Sequence, residues 1–203
     1  MLLAIVLLVQ SACLVPQSID ALDPDAGTRP APRIEINKIP SDLLQLVLPF
    51  YRQGAADAAA TPPCVCHLDF TGLFVQDDDP FVTLQARWFV DYDTAVPSSL
   101  AIREQKDMPG STDFNNPTTE RGVPDFAFDA VGQGITTNGI HIVEVVIADR
   151  DGFDTTNTQR PFRSVLPGFQ TAEYRFAVQV NLAQDPNQPT CPNNVGASVR
   201  VCQ

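Results

Sequence analysis

The sequence predicts an all-β protein, an antiparallel two-sheet β-sandwich with long loops, standing behind an apolar leader and a flexible tether. Three observations predict it. Eighteen prolines punctuate 203 residues but leave Pro-free runs at 64–79, 81–96, 125–160 and 168–185, and proline is excluded from central strands. Inside those runs apolar residues recur with a period of two. Helical periodicity is confined to one ambiguous stretch.

Taken in order, "RIEINKI" (33–39) reads as a weak strand, and "SDLLQLVLPF" (41–50) reads two ways. Ser41 or Asp42 suits a helix cap, while Leu44, Leu46 and Leu48 suit one face of a strand. "CVCHLDFTGLFV" (64–75) is a further strand candidate. "VTLQARWFV" (82–90) places Val82, Leu84, Ala86, Trp88 and Val90 on one face. "SSLAIRE" (98–104) and "DFAFDA" (125–130) are short candidates. "GIHIVEVVIAD" (139–149) is apolar at nearly every position, as in a strand covered on both sides. "YRFAVQV" (174–180) alternates Tyr174, Phe176, Val178 and Val180 against Arg175, Ala177 and Gln179. Seven or so short strands with Pro-rich turns suit a sandwich.

The pair "LQARWFVDYD" and "GIHIVEVVIADRDGF" resembles the core strands of bacterial Ig-like modules of the PKD and cadherin-like kind. The matching residues are Trp88 and Asp91, then His141, Val143, Val145, Ile147 and Asp149. The resemblance implies an Ig-like β-sandwich over 34–203, with a long insertion between the two strands. It speaks to fold, which does not imply function.

The chain opens "MLLAIVLLVQSACLVPQ". Leu2–Val9 is too short for the ~20 residues a membrane-crossing helix needs, and suits the apolar region of a signal peptide. Gln10-Ser11-Ala12-Cys13 resembles the lipobox of bacterial lipoproteins. That implies a signal peptide over 1–12 and a lipidated Cys13 as the new N-terminus, and Leu14 at the next position implies outer-membrane retention. An ordinary secretory cut near Ala12 and a buried N-terminal strand are the alternatives. Residues 14–33, rich in Pro, Ala and Asp, complete a tether over 13–33; a flexible chain of that length spans ~25 Å on average and ~65 Å stretched.

The formal charge of −11, with 13 Lys+Arg against 24 Asp+Glu, argues against nucleic acid and anionic headgroups as partners. A hydrophobic fraction of 44% supports a packed core. With Cys13 lipidated, Cys64, Cys66, Cys191 and Cys202 form an even set. In an extended strand Cys64 and Cys66 have parallel Cβ vectors and Cα atoms ~6.5–7 Å apart, which disfavours a bond between them. Disulfides then run 64–191 with 66–202 or 64–202 with 66–191, each constraining the unfolded chain by about 4–5 kcal/mol. A local Cys191–Cys202 bond and a thiolate metal site with His67 are the other readings.

Acidic loops at 76–80, 91–93 and 149–154 raise calcium as a cofactor. Loops at one end of a sandwich would bring Asp77, Asp79, Asp149 and Asp151 together; solvated turns are the alternative. Catalysis finds little support. His67 and His141 are the two histidines, and no nucleophile-elbow, HExxH or phosphate-loop motif is present. An enzyme would need His141 to line a pocket with Asp91 or Asp149. Long connections are expected over about 105–124 and 150–171. The second contains "RPFRSVLPGF", where Phe162, Val165, Leu166 and Phe169 either dock a partner or fold down over an open end of the sandwich. The sequence thus predicts a non-enzymatic envelope lipoprotein that binds or scaffolds a protein or glycan, with calcium-dependent adhesion or glycan binding as the alternative.

Overall fold

A computed structural model describes residues 30–51, 67–95, 102–130, 132–181 and 199–200. The leader, Cys13, most of the tether, Cys64, Cys66, Cys191 and Cys202 lie outside the described residues. Eleven strands are described: β1 (Arg33–Ile34), β2 (Leu48–Tyr51), β3 (His67–Phe70), β4 (Phe74–Gln76), β5 (Leu84–Val90), β6 (Glu104–Met108), β7 (Glu120–Gly122), β8 (Phe126–Phe128), β9 (Gly139–Asp149), β10 (Ala172–Asn181) and β11 (Val199–Arg200). Among the described residues the helical elements are two single 3-10 turns, Ile36–Lys38 and Arg150–Gly152. The protein is all-β.

A five-stranded sheet, ordered β2-β10-β9-β5-β6, carries the longest strands, with three-stranded sheets β11-β3-β8 and β1-β4-β7 beside it. The pairings within the large sheet are antiparallel except β2 with β10, which run parallel. Pro49 is tolerated because β2 is an edge strand. Alternation decides the faces. Leu84, Ala86, Trp88 and Val90 of β5 join Val143, Val145 and Ile147 of β9 and Phe176, Val178 and Val180 of β10 in one core.

Rings from the smaller β11-β3-β8 sheet meet that face. Phe70 lies 4.6 Å from Phe176 and 5.6 Å from Trp88, centroid to centroid, and Phe126 lies 5.0 Å from Trp88. Such aromatic pairs contribute about 0.5–1.5 kcal/mol each beyond the area they bury. The third sheet adds Val75, with Ile34 packed partly against the same core.

The opposite face of the large sheet is also covered in part. Phe89, Val146, Ala148 and Phe153 form a second cluster with Tyr92, Ile102 and Val165 packed against it. The cover is the chain from 150 to 169, tied by a bridge between Phe153 and Val165. Double cover explains why β9 is buried at each position from Val143 to Asp149.

Several elements depart from expectation. Residues 41–47 turn before β2 starts at Leu48, so neither the helix nor the long strand forms. "CVCHLDFTGLFV" is divided by a turn at Gly72, whose φ of 70° suits glycine. Of "SSLAIRE" residues 102–104 are described, and there a strand starts at Glu104 and extends through "EQKDM", inside the connection expected to be open loop. Only Met108 of β6 is buried. A charged edge strand resists pairing with other chains and carries no hydrophobic alternation.

Candidate functional site

The site forms where β5 leaves the large sheet. Val90 still pairs with Val143, and the next residue, Asp91, turns away with φ 51°. Aspartate is among the few non-glycine residues that tolerate this left-handed backbone. Its amide donates to the carbonyl of Ile142 over 2.8 Å, and Oδ1 accepts the Ile142 amide over 2.8 Å. The side chain thus replaces the ladder acceptor that the turning backbone withdraws.

The other oxygen, Oδ2, accepts from Nδ1 of His141 over 2.6 Å. Nε2 of the same ring faces the carbonyl of Thr137 at 3.4 Å. His141 therefore ties the loop before β9 to the end of β5.

A pocket of about 550 Å³ opens between these elements. Asp91, Asp93, Arg103, Gln133, Thr136 and His141 give it polar walls, and Val90 and Ile135 an apolar floor. Its volume lies in the range of small-molecule sites. Asp93 Oδ1 accepts the amide of Ala95 over 2.8 Å, which fixes the 91–95 turn on the rim. A second hollow, about 340 Å³, lies beyond that turn and shares Asp91 and Asp93 while reaching Glu144 and Arg175.

Glu144 is the strongest electrostatic feature of the outer face. It is 3% exposed and sits between two guanidinium groups. Arg163 grips it twice, Nε to Oε2 at 2.9 Å and Nη2 to Oε1 at 2.7 Å, while Arg175 Nε reaches Oε1 at 2.6 Å. Arg163 also reaches Glu173 at 2.6 Å. Burial opposes the Arg163 charge, yet the hydrogen bond and charge of Glu144 outweigh it and raise the Arg163 pKa. Arg87 anchors the 150–169 segment that covers this face, hereafter the strap. It donates to the Phe162 carbonyl over 2.7 Å and lies 3.7 Å from the Phe153 ring centroid, with burial lowering its pKa to about 10. Phe169 packs so closely on Gly152 that a Cβ there would meet its ring at 2.4 Å.

The residues expected in a partner patch divide. Val165 packs against the second cluster and Phe169 is half-buried, while Phe162 and Leu166 are each 40% exposed. The segment lies over the outer face of the sheet.

The residues expected to bind calcium also divide. Asp77 and Asp149 are 3% and 8% exposed, and burial raises the Asp77 pKa with a smaller contribution from the Asp149 charge. Asp79 and Asp151 are exposed, and Asp151 pairs with Arg150 at 3.1 Å. Arg121 reaches into this region. Its Nη2 stands 3.9 Å from Asp77 Oδ2 and donates to the Asp79 carbonyl over 3.0 Å. Its Nη1 donates to the carbonyls of Val82 and Met108. Among the described residues no group of three or more His, Cys, Asp or Glu side chains is arranged to hold a metal ion.

Sequence reasoning paired Asp91 with Asp93 as a nominal acid–base couple and named His141 with Asp91 as the pocket an enzyme would need, and it missed Arg103, Gln133, Ile135 and Thr136. It also missed the grip of Arg163 on Glu144, although a single glutamate within "HIVEVVI" signals a buried charge that requires a partner. Compared with family models, with curated proteins and with solved structures, the chain shows no match.

Proposed function

We propose that the chain is a membrane-anchored extracytoplasmic lipoprotein, held through Cys13 in the outer membrane of a cell envelope, that acts as a binding or scaffolding module. Its folded part is read as an Ig-like β-sandwich, supported by the meeting of Phe70 and Phe126 with Trp88 and Phe176 between two sheets. The observation that carries binding is the 550 Å³ pocket held by Asp91 and His141. His141 meets the geometric condition that an enzyme would require, since it lines a pocket with Asp91. Yet both ring nitrogens face oxygen acceptors, and no serine or cysteine is among the described lining residues. This arrangement favours a fixed wall over an acid–base catalyst.

A photo-crosslinking amino acid at Gln133, on the pocket, tests the reading in intact cells. An adduct is expected there and not with the same group at exposed Asp113. No adduct at Gln133 overturns the pocket as the binding site. Intact mass of the membrane-extracted chain tests the anchor, expected to begin at acylated Cys13 and to show four alkylations only after reduction.

A calcium-dependent adhesion or glycan-binding module is the second reading. It draws on Asp77 and Asp149, both buried, with the Asp149 charge felt at Asp77. A calcium-dependent rise in Tm would support it, and an unchanged Tm would oppose it.

A further inference from the structure

We infer that the Asp91–His141 pocket takes a neutral saccharide; this rests on the binding reading above and names the ligand class. The argument is one of charge and hydrogen-bonding type. An anionic ligand entering the pocket meets two carboxylates, Asp91 and Asp93. A cationic ligand meets the Arg103 guanidinium. With walls of both signs, a charged ligand of either sign meets a repelling group as well as an attracting one. A neutral ligand rich in hydroxyl groups meets neither penalty.

The polar walls suit such a ligand. Asp93 presents acceptor oxygens, Arg103 presents donors, and Gln133 and Thr136 present both types. Adjacent sugar hydroxyls donate and accept in the same way, and planar carboxylate, amide and guanidinium groups engage them two at a time. Val90 and Ile135 offer an apolar floor for the C–H face of a sugar ring. The pocket is also pre-formed, because Asp91 has both carboxylate oxygens engaged and His141 holds the Thr137 loop. A pre-formed site spares a weakly binding ligand the cost of ordering it.

Isothermal titration calorimetry of the full chain tests this with neutral mono- and disaccharides of hexoses and N-acetylhexosamines. Glucosamine and glucuronic acid serve as the charged counterparts. A neutral sugar is expected to bind at one site per chain. Asp93→Asn, which keeps the oxygen that accepts the Ala95 amide, is expected to weaken it about tenfold, and Thr136→Ala similarly. Both side chains lie at the pocket rather than in the core, so both variants are expected to fold. Tighter binding of a charged sugar, or sugar binding unchanged in both variants, overturns the inference. If no sugar binds while the Gln133 crosslink still forms, the saccharide inference fails and the binding reading stands. If neither occurs, both fail.

Discussion

The carboxylate of Asp91 lies 2.6 Å from Nδ1 of His141, across fifty residues of sequence, and its second oxygen caps the Ile142 amide. One side chain therefore ends a strand, satisfies its neighbour and holds a pocket wall. Asp91→Ala removes the tolerance for positive φ and leaves the Ile142 amide unpaired, at a cost of about 2–4 kcal/mol. Asp91→Asn keeps an acceptor for Ile142 and is expected to cost about half as much or less. Urea denaturation of the three chains checks the order, and equal midpoints for alanine and asparagine would refute it.

Arg163 and Glu144 hold the 150–169 strap on the outer face of the large sheet. Arg163→Ala strands a buried carboxylate and is expected to destabilise the fold by about 3–5 kcal/mol. It should also open the strap to proteolysis between 154 and 161. Glu144→Leu with Arg163→Met removes both charges and is expected to recover most of the loss. Limited proteolysis and thermal unfolding read the two effects separately.

Asp77 has its pKa raised, chiefly by burial and in smaller part by Asp149 and Asp79. A carboxyl raised in the folded state favours the fold in its protonated form. That contribution is present below the unfolded carboxyl range near 3.9 and is lost as pH rises through the folded value. Asp77→Asn, permanently neutral, is therefore expected to gain in Tm relative to the parent as pH rises from 4 to 7. A Tm difference that stays constant over that range would refute this.

Arg121 binds the carbonyls of Asp79, Val82 and Met108 and stands beside Asp77. Arg121→Ala is expected to cost about 3–5 kcal/mol, since it leaves three carbonyls without their donor and takes the guanidinium charge away from a buried carboxylate. With Asp77→Asn already in place the same change should cost less. A double-mutant cycle measures the coupling, expected at about 0.5–3 kcal/mol. Strict additivity would show that the two side chains act independently.

Much of the fold was legible in the sequence because its signals are local. β5, β9 and β10 announce themselves by alternation or by an unbroken apolar run, and the prolines mark where central strands cannot pass. β1, β6 and β7 carry little such signal. Each is an edge strand, and the solvent-facing polar residues of β6 and β7 leave no apolar period to detect. The parallel union of β2 with β10 was equally hidden, since pairing direction depends on where the intervening chain travels.

The sequence by itself determined the all-β class, the positions of the three longest strands and the residues that face the main core. Those properties follow from backbone geometry acting over two to ten residues. Only the tertiary structure decided that Asp91 meets His141, that the strap lies over the outer face instead of capping an end, and that Arg163 finds Glu144. These meetings join residues nineteen and fifty positions apart, and they are set by strand register. Register is fixed by which side chains the whole sheet can bury together, a condition that no short stretch of sequence contains.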